Sequence, residues 1–448
     1  MRSYLWIAFA GALAWVPPAL AQDMGNMQMP AQQQQAAPPQ PQAHDDHDDM
    51  SMNMDGMDMT GMSDMHMTAA LGDYSMNREA SGTSWQPDVS EHGGVHAMRG
   101  PWMLMWHLTL NGVYDWQGGP RGDDKAFVSG MVMGVARRSF DNGDTLNLRA
   151  MFSPDPLMGA RGYPLLLQTG ETADGVTPLI DRQHPHDLVM ELSASYAHQL
   201  NAGNSLFVHG GLPGEPAFGP PAFMHRMSAV DSPEAPLSHH WLDSTHITFG
   251  VVTAGFVHDN WKIEASRFRG REPDEHRYDI ENGALDSTAV RLSWNPNQNW
   301  ALQASWADVT SPEALHPGED ERRWSVSAIY THPLGANGWY SATGAFGRKT
   351  RSDGVTLDAW LAEAVLHPND HWTLFARGES LENDELAPGL ARDVGRLSVG
   401  AIRDWRLSAH TVFGLGALFE HTLIPTGLEP EYGNDPNGAM GFVRLKIG

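Results

Sequence analysis

The chain has 448 residues and a net charge of −25, from 29 Lys and Arg against 54 Asp and Glu. This acidic balance argues against nucleic acid as a partner, because no basic patch could neutralise phosphates. The sequence contains no Cys. It can therefore form neither a disulfide framework nor a thiolate metal site.

The first residues have the features of an export signal. Arg2 precedes the apolar stretch LWIAFAGALAWV, and Ala19-Leu20-Ala21 fits the small-x-small cleavage rule. We expect residues 1–21 to be removed, so that the mature chain begins at Gln22. A membrane-anchor helix is the alternative, but the apolar run is short and Pro17-Pro18 interrupts it.

Residues 22–98 are predicted to form a tail that is disordered without a ligand. Its stretch AQQQQAAPPQPQ cannot bury enough apolar surface to offset the entropy lost on ordering. Thirteen of the 24 Met residues lie between Gln22 and Met98, Lys is absent there, and Arg78 is the only Arg. The tail is therefore rich in thioethers and poor in positive charge.

Residues 101–448 show a different pattern, in which short segments alternate apolar and polar residues. In NWALQASWADV, for example, Trp300, Leu302, Ala304 and Trp306 share one face of an extended chain. Sixteen such segments are predicted as strands: 102–116, 126–139, 144–153, 187–200, 204–211, 244–256, 260–270, 286–296, 299–308, 323–333, 338–348, 355–367, 371–381, 394–406, 409–421 and 438–448.

The connections between these strands alternate between tight turns and longer loops, of which 154–186 and 212–243 are very long. An even strand number with short turns at one end is typical of an outer-membrane β-barrel. The sequence therefore predicts an all-β fold, a transmembrane antiparallel β-barrel of about 16 strands. Fourteen strands is the alternative count, because segments such as 204–211 are short. A large soluble sandwich or propeller is the alternative fold.

The segment MSMNMDGMDMTGMSDMHM, residues 50–67, is dominated by methionine and lacks Leu, Ile and Val. A thioether is a soft, neutral donor that suits Cu(I), and it needs no deprotonation. Donors two or three residues apart in a flexible chain can reach one ion, and Gly56 and Gly61 permit tight curvature. A low-complexity linker is the alternative. The predicted ligands of the tail are Met50, Met52, Met54, Met57, Met59, Met62, Met65, His66, Met67, His44 and His47.

Histidines also concentrate in the long loops, as His-x-His or beside acids. Such groups are workable metal ligands, and loops that fold over one mouth of the barrel would form a second metal site or a plug. The alternative is that these are ordinary polar loop residues that cap turns. Four loop motifs carry such groups: DRQHPHD with His184 and His186, FMHR with Met224 and His225, SHHWLDSTH with His239, His240, Asp243 and His246, and REPDEHRYD with the acids around His276. Among them, His184, His186, His239 and His240 are the predicted metal ligands.

An export signal, the tail motif MDGMDMTGMSDMHM and a barrel, in this order, resemble the copper-resistance outer-membrane proteins of Gram-negative bacteria. The barrel, with GETADGVTPLIDRQHPHDL, GLPGEPAFGPPAFMHR and DSPEAPLSHHWLDSTHITFG, is similar instead to a family of exported proteins that is uncharacterised. The first resemblance implies a location in the outer membrane of a Gram-negative bacterium, with the tail in the periplasm.

We therefore predict a non-enzymatic outer-membrane barrel of copper tolerance or export, whose tail captures Cu(I) in preference and Cu(II) as the second candidate. Its expected partners are metal ions, outer-membrane lipid and periplasmic copper carrier proteins. Inward residues Arg291, Glu264 and Arg377 would set the field in the lumen. The alternatives are a general porin with a tether-like tail and an outer-membrane enzyme. The chain has neither a Gly-x-Ser-x-Gly elbow nor an HExxH motif, which argues against the enzyme.

Overall fold

The structure is a computed structural model, and it describes residues 69–90, 93–387 and 392–448. The predictions for the export signal and for the candidate ligands of the tail fall on residues 1–67 and lie outside these ranges. Among the described residues, no helix is long and apolar enough to cross a membrane.

The described chain is built almost entirely of β-strands. In chain order they are β1 (Val95–Arg99), β2 (Trp102–Gln117), β3 (Asp124–Ser139), β4 (Thr145–Phe152), β5 (Tyr163–Thr172), β6 (Pro178–Gln183), β7 (Val189–Asn201), β8 (Asn204–Gly211), β9 (Val251–His258), β10 (Trp261–Phe268), β11 (Ser287–Asn297), β12 (Trp300–Val309), β13 (Glu321–Leu334), β14 (Gly338–Arg351), β15 (Thr356–Asn369), β16 (Trp372–Asn383), β17 (Arg392–Ser408), β18 (Thr411–Leu423) and β19 (Asn437–Ile447). The short helices are α1 (His239–Leu242) and α2 (Glu429–Tyr432), with 3-10 turns at Met76–Arg78, Asp155–Met158 and Ser244–His246.

Strands β2–β4 and β7–β19 form a closed antiparallel barrel of 16 strands. Neighbours pair in chain order, except that β4 pairs with β7 across the separate β5–β6 hairpin. The barrel closes where β19 pairs with β2, from Gly438 opposite Gln117 to Ile447 opposite Leu108. Closure leaves no free strand edge, which lipid could not satisfy. The prediction of a 16-stranded transmembrane barrel is confirmed, and the alternative of 14 strands is wrong.

One predicted strand begins later than the sequence pattern suggests. Alternation starts at residue 244, but β9 begins at Val251. The residues before it are drawn into the lumen, where Arg323 Nη1 donates a 2.9 Å hydrogen bond to Ser244 Oγ. Thr248 then forms an isolated antiparallel bridge with Gly214. The alternating sequence pattern therefore extends into residues 244–250, which precede β9 and do not belong to the paired barrel wall.

The outward face of the barrel is apolar. Along β18, Leu415 and Phe419 are exposed while Glu420 faces the lumen and is buried. Aromatic side chains gather at the strand ends, where Trp261 stacks on Trp294 with ring centroids 4.8 Å apart. An apolar band with aromatic residues at its borders is the surface that a bilayer requires.

Residues 69–90, which we call the N-terminal segment, lie inside the barrel at the end with the short turns. Ser205 Oγ donates a 2.5 Å hydrogen bond to Leu71 O. At the deepest point of the segment, Lys262 Nζ donates to Thr83 O, and Arg291 Nη2 donates to Thr83 Oγ1 at 3.0 Å. The tail prediction treated residues 22–98 as disordered; it is wrong for this segment and for β1, which pairs with β2. The segment is ordered because polar side chains of the barrel wall, such as Lys262 and Arg291, donate hydrogen bonds to it.

Residues 212–250, which we call the central segment, also pass through the lumen. Glu379 on β16 accepts hydrogen bonds from the backbone N–H groups of Leu237 and Ser238 at 3.0 and 2.9 Å, and from Ser238 Oγ at 2.6 Å. Buried ion pairs tie the segment to strands β15, β17 and β19: Arg226–Glu363, Glu234–Arg396 and Asp231–Arg444.

The lumen is therefore a packed polar core. The residues predicted to face inward do so: Arg291 Nε donates to Glu264 Oε1 at 2.9 Å, and Arg377 Nε donates to Glu363 Oε2 at 3.1 Å. The N-terminal and central segments meet where Ala222 N donates a 2.8 Å hydrogen bond to Ser81 Oγ. Charged groups of the wall are thus satisfied by the two segments as well as by one another.

Replacing Glu379 with Ala should loosen the central segment. Two buried N–H groups would lose their acceptor, at a cost of about 1–3 kcal/mol each. A loss of about 2 kcal/mol raises the open population of the segment about 30-fold. We expect faster proteolysis within residues 212–250 and a higher single-channel conductance in planar bilayers. The exposed Asp141→Asn is the matched control. Proteolysis and conductance equal to those of the unaltered protein would contradict this account of the lumen.

Candidate metal centre

Five histidines lie together at the end of the lumen that the long loops cover. His184 and His186 follow β6, His239 and His240 open α1, and His246 ends a 3-10 turn. Each is less than one tenth exposed. The structure thus brings together the four loop histidines predicted as metal ligands and His246, which shares the motif SHHWLDSTH with two of them. Metal binding by these residues stays a prediction.

The imidazole rings form a continuous chain. Ring centroids are 5.3 Å apart for His186 and His246, 5.1 Å for His246 and His239, and 5.4 Å for His239 and His240. His184 lies 5.9 Å from His240. With metal–nitrogen bonds of about 2.0 Å and tetrahedral angles, the ring centroids of two ligands are about 5 Å apart. Three neighbouring pairs of rings are therefore spaced about as two ligands of one ion would be.

Hydrogen bonds fix the orientation of three of these rings. The Nδ1 atom of His186 is 2.8 Å from Asp155 Oδ2, that of His239 is 2.7 Å from Asp243 Oδ1, and that of His246 is 2.7 Å from Asp243 O. A ring that donates from Nδ1 presents the lone pair of Nε2, which is the usual arrangement of a metal-ligating histidine.

The opposite nitrogens are not satisfied by the protein. In the described part of the chain, the Nε2 atoms of His186, His240 and His246 are buried without a hydrogen-bond partner. Buried polar atoms nearly always have a partner, and an orphaned one points to a missing ion or water. Three such atoms in one cluster are the strongest sign of a ligand in this part of the barrel.

Burial disfavours the charged form of three of the five rings. It lowers the pKa of His246 to about 3, and it lowers the pKa values of His184 and His240 well below the ordinary value. Burial also opposes ionisation of Asp243, but the charges and hydrogen bonds of His239 and Arg226 outweigh it and lower the pKa of Asp243 to about 2. Imidazoles whose charged form is disfavoured, beside an ionised carboxylate, suit a cation.

Two acids border the other side of the cluster. Glu171 Oε1 lies 3.2 Å from His184 Nε2, and Glu272 Oε1 lies 3.9 Å from His240 Nδ1. Burial raises the pKa of Glu171 to about 7, against the opposing charge of Arg277. Gly170 has φ +102° and packs on the His240 ring, since a Cβ there would lie 2.7 Å from its Cε1 atom. The β5–β6 hairpin therefore forms one wall of the site.

The fourth predicted loop group lies apart from the histidines. In the ranges that the structure describes, the one group of three ligands within 4.8 Å of one another is Asp274, Glu275 and His276, on a loop where His276 is exposed. Only Glu272 of this loop reaches the cluster. The five histidines do not meet that distance in any threesome, so their side chains must rotate before three nitrogens bind one ion.

A cavity of about 70 Å³ adjoins the cluster. His184, His186 and Phe223 line one part of it, and Met131 and Met224 line another. The space holds a few water molecules or a desolvated ion. Sequence reasoning did not find this link between histidines and methionines, because it depends on how the central segment lies in the lumen.

No protein-family model matches this sequence, and no curated protein matches it. The OmpF of Salmonella typhi, solved in complex with daunomycin, is similar in structure over 79% of this chain and 100% of its own, with 10% identity and a TM-score of 0.50. An anion-selective porin from Comamonas acidovorans and OprB from Pseudomonas putida match 77% of this chain and 100% and 94% of their own, each with 8% identity and a TM-score of 0.47. At this identity the likeness to OmpF shows a porin-like barrel fold, and the resemblance to copper-resistance proteins stays a prediction.

The buried histidines should make the outer part of the lumen sensitive to acid. The folded-state pKa values of His184, His240 and His246 lie below the ordinary value near 6.5, so the stability that these three contribute is present above that pH and is lost as the pH falls towards the folded-state pKa, which is about 3 for His246. For His246 the loss is about 2 kcal/mol at pH 5. In chelator-treated protein, hydrogen-exchange protection factors over residues 238–246 should be lower at pH 5 than at pH 7.5. Protection in β13 and β14 is the control, and protection over 238–246 that is unchanged or higher at pH 5 would contradict the prediction.

Proposed function

We propose that this protein is an outer-membrane barrel that handles transition-metal ions, copper first, in tolerance or export. The observation that carries the proposal is the cluster of buried imidazoles whose Nε2 atoms lack a partner in the described chain. A barrel needs no such cluster for stability, because a buried polar atom without a partner costs free energy. A bound ion would supply the missing partner.

The course of the N-terminal segment supports a role for the tail. Its first described residues lie beside Ser205, which follows the tight turn between β7 and β8. Short turns mark the periplasmic end of outer-membrane barrels. The thioethers of residues 50–67, which precede this segment in the chain, would capture soft ions and raise their local concentration for the barrel. Metal ions, lipid and periplasmic copper carriers are the partners that this role requires.

A general porin is the second candidate, and the fold likeness to OmpF favours it. The packing of the lumen argues for a narrower role. An open porin keeps a water-filled channel, whereas here buried residues of two segments occupy the interior. Bilayer conductance of the unaltered protein distinguishes the candidates. A large pore that is indifferent to metal would favour the general porin.

The histidine cluster should account for divalent metal binding by the barrel. We expect protein lacking residues 44–67 to bind Cu(II) or Co(II), and we expect the double variant His186→Ala/His246→Ala to lose at least one bound ion. Co(II) absorption spectra and equilibrium dialysis measure this. The exposed His371→Ala is the control and should keep the ion. Heat-dependent gel migration shows that each barrel is folded. Equal stoichiometry in all three proteins would reject the cluster as the site.

The tail should account for capture of Cu(I). Deleting residues 44–67 removes all eleven predicted tail ligands, and deleting residues 31–42 removes only Ala, Gln and Pro. We expect the first deletion to lower Cu(I) stoichiometry by at least one ion and to reduce cell survival in copper. The second deletion should change neither. If both deletions leave stoichiometry and survival at the level of the full chain, the tail has no role in metal capture.

A further inference from the structure

A histidine and two methionines lie side by side on the inner face of β2, β3 and β4. The strand register places His107 opposite Met133, and Met133 opposite Met151. Directly opposed residues have Cβ atoms about 4.5–5.5 Å apart. Met133 and Met151 are 6% and 3% exposed, whereas the adjacent Val132 and Phe152 face outward. The row therefore lines the lumen and not the lipid.

The central segment adds a fourth side chain, His225, to this row. Its Nε2 atom lies 3.3 Å from the Sδ atom of Met151. Its ring stacks on that of His107, with centroids 6.3 Å apart and planes 29° apart. Metal–nitrogen and metal–sulfur bonds of about 2.0 and 2.3 Å at a tetrahedral angle separate the two donors by about 3.5 Å. The observed nitrogen–sulfur distance is close to that value.

More thioethers surround these four side chains. Met131 and Met190 are buried in one apolar cluster with Met133 and Met151, which also contains Val135, Ile247 and Phe249, and Met105 and Met224 pack against it. Methionine often fills irregular space in a core. Packing alone, however, requires only volume, which Leu or Ile also supply, whereas here the Met151 sulfur also lies within hydrogen-bond distance of His225 Nε2. The concentration of thioethers on this one side of the lumen favours a ligand.

The positive charge of Arg149, beside the row, is paired with the carboxylate of Glu191. Arg149 Nη2 lies 3.9 Å from Met133 Sδ, but it also lies 3.5 Å from Glu191 Oε2. Glu191 is opposite Met151 in the register, so the carboxylate continues the same row. The guanidinium charge is therefore neutralised beside the sulfurs. Two thioethers and two imidazoles form the soft donor set of this row.

We propose that His107, Met133, Met151 and His225 form a binding site for one soft monovalent cation, Cu(I) or Ag(I). Thioether and imidazole donors select such ions over hard divalent cations, which prefer oxygen. The inference rests on the proposed metal-handling function and names a second site for it. The cavity that Met131 and Met224 share with His184 and His186 connects this region with the histidine cluster.

The position of the site suggests a path for the ion through the lumen. Arg149, which adjoins Met133, also donates hydrogen bonds to Ala80 O at 3.1 Å and to Gly82 O at 2.8 Å in the N-terminal segment. The N-terminal segment, which follows the tail in the chain, therefore reaches its innermost point next to the thioethers of the proposed site. An ion released by the tail would meet thioethers first and the five-histidine cluster after them.

Silver titration of the barrel without residues 44–67 tests the site, because Ag(I) is redox-inert and the competing tail ligands are removed. Methionine methyl groups labelled with ¹³C are followed by NMR in detergent micelles, with assignments from single Met→Leu variants. We expect one equivalent of Ag(I) to shift the methyl resonances of Met133 and Met151. The double variant Met133→Leu/Met151→Leu should bind one Ag(I) fewer. Met440→Leu, which alters a buried methionine on β19, is the matched control and should bind as before.

Leucine conserves the volume of methionine, so the double variant should fold, and the methyl shifts of the unaltered barrel decide the matter even if it does not. Unchanged Met133 and Met151 resonances, or full Ag(I) stoichiometry in a folded double variant, would overturn the proposal. The variant His186→Ala/His246→Ala separates the two sites. If it loses the divalent ion and keeps the Ag(I) shifts, both proposals stand. If divalent binding never depends on those histidines but the Ag(I) shifts appear, only the role of the histidine cluster fails.

Discussion

Closure of a β-sheet in lipid is the constraint on which the rest of this molecule depends. Lipid cannot form hydrogen bonds with a free strand edge, so the last strand of the barrel, β19, must pair with its first strand, β2. Closure also sorts the side chains, because successive residues of each strand point to opposite faces. Apolar residues such as Leu415 face outward, and polar residues such as Glu420 are left to the interior. The polar lumen is thus a consequence of the apolar surface.

A polar interior must then be solvated or paired. Here protein does much of this work, through two segments that enter the barrel from opposite ends. The central segment brings Arg226, Asp231 and Glu234 to strands that carry the opposite charges. Breaking one partner of such a buried pair is strongly destabilising, because it leaves an uncompensated charge. The segments are therefore held in place by the same charges that would otherwise require water.

The histidine cluster lies where this pairing is incomplete. Buried polar atoms without a hydrogen-bond partner occur at several places in the described part of the lumen, for example in Gln168 and Glu272, and the Nε2 atoms of His186, His240 and His246 are three that lie in one cluster. The Nδ1 atoms of His186 and His246 lie within hydrogen-bond distance of the Asp155 carboxylate and the Asp243 carbonyl, so these two rings are oriented as well as unsatisfied. The thioethers of Met133 and Met151 lie on the inner face of the barrel wall, where Met151 contacts His225 of the central segment. This order from thioether to imidazole is what links the barrel to the methionine-rich tail in the proposed function.

The sequence by itself determined the barrel and the positions of its strands. Period-two alternation, such as that of Trp300, Leu302, Ala304 and Trp306, is a local property, and lipid on one side enforces it in every strand. It also showed which loop histidines deserved testing. It could not show that residues 69–90 lie inside the barrel, because their partners are wall residues such as Arg291, far away in the chain. Only the tertiary structure brought His246 to the other loop histidines and His225 to Met151. These contacts depend on strand register and on the path of a loop through the lumen, and neither leaves a periodic signal in the chain.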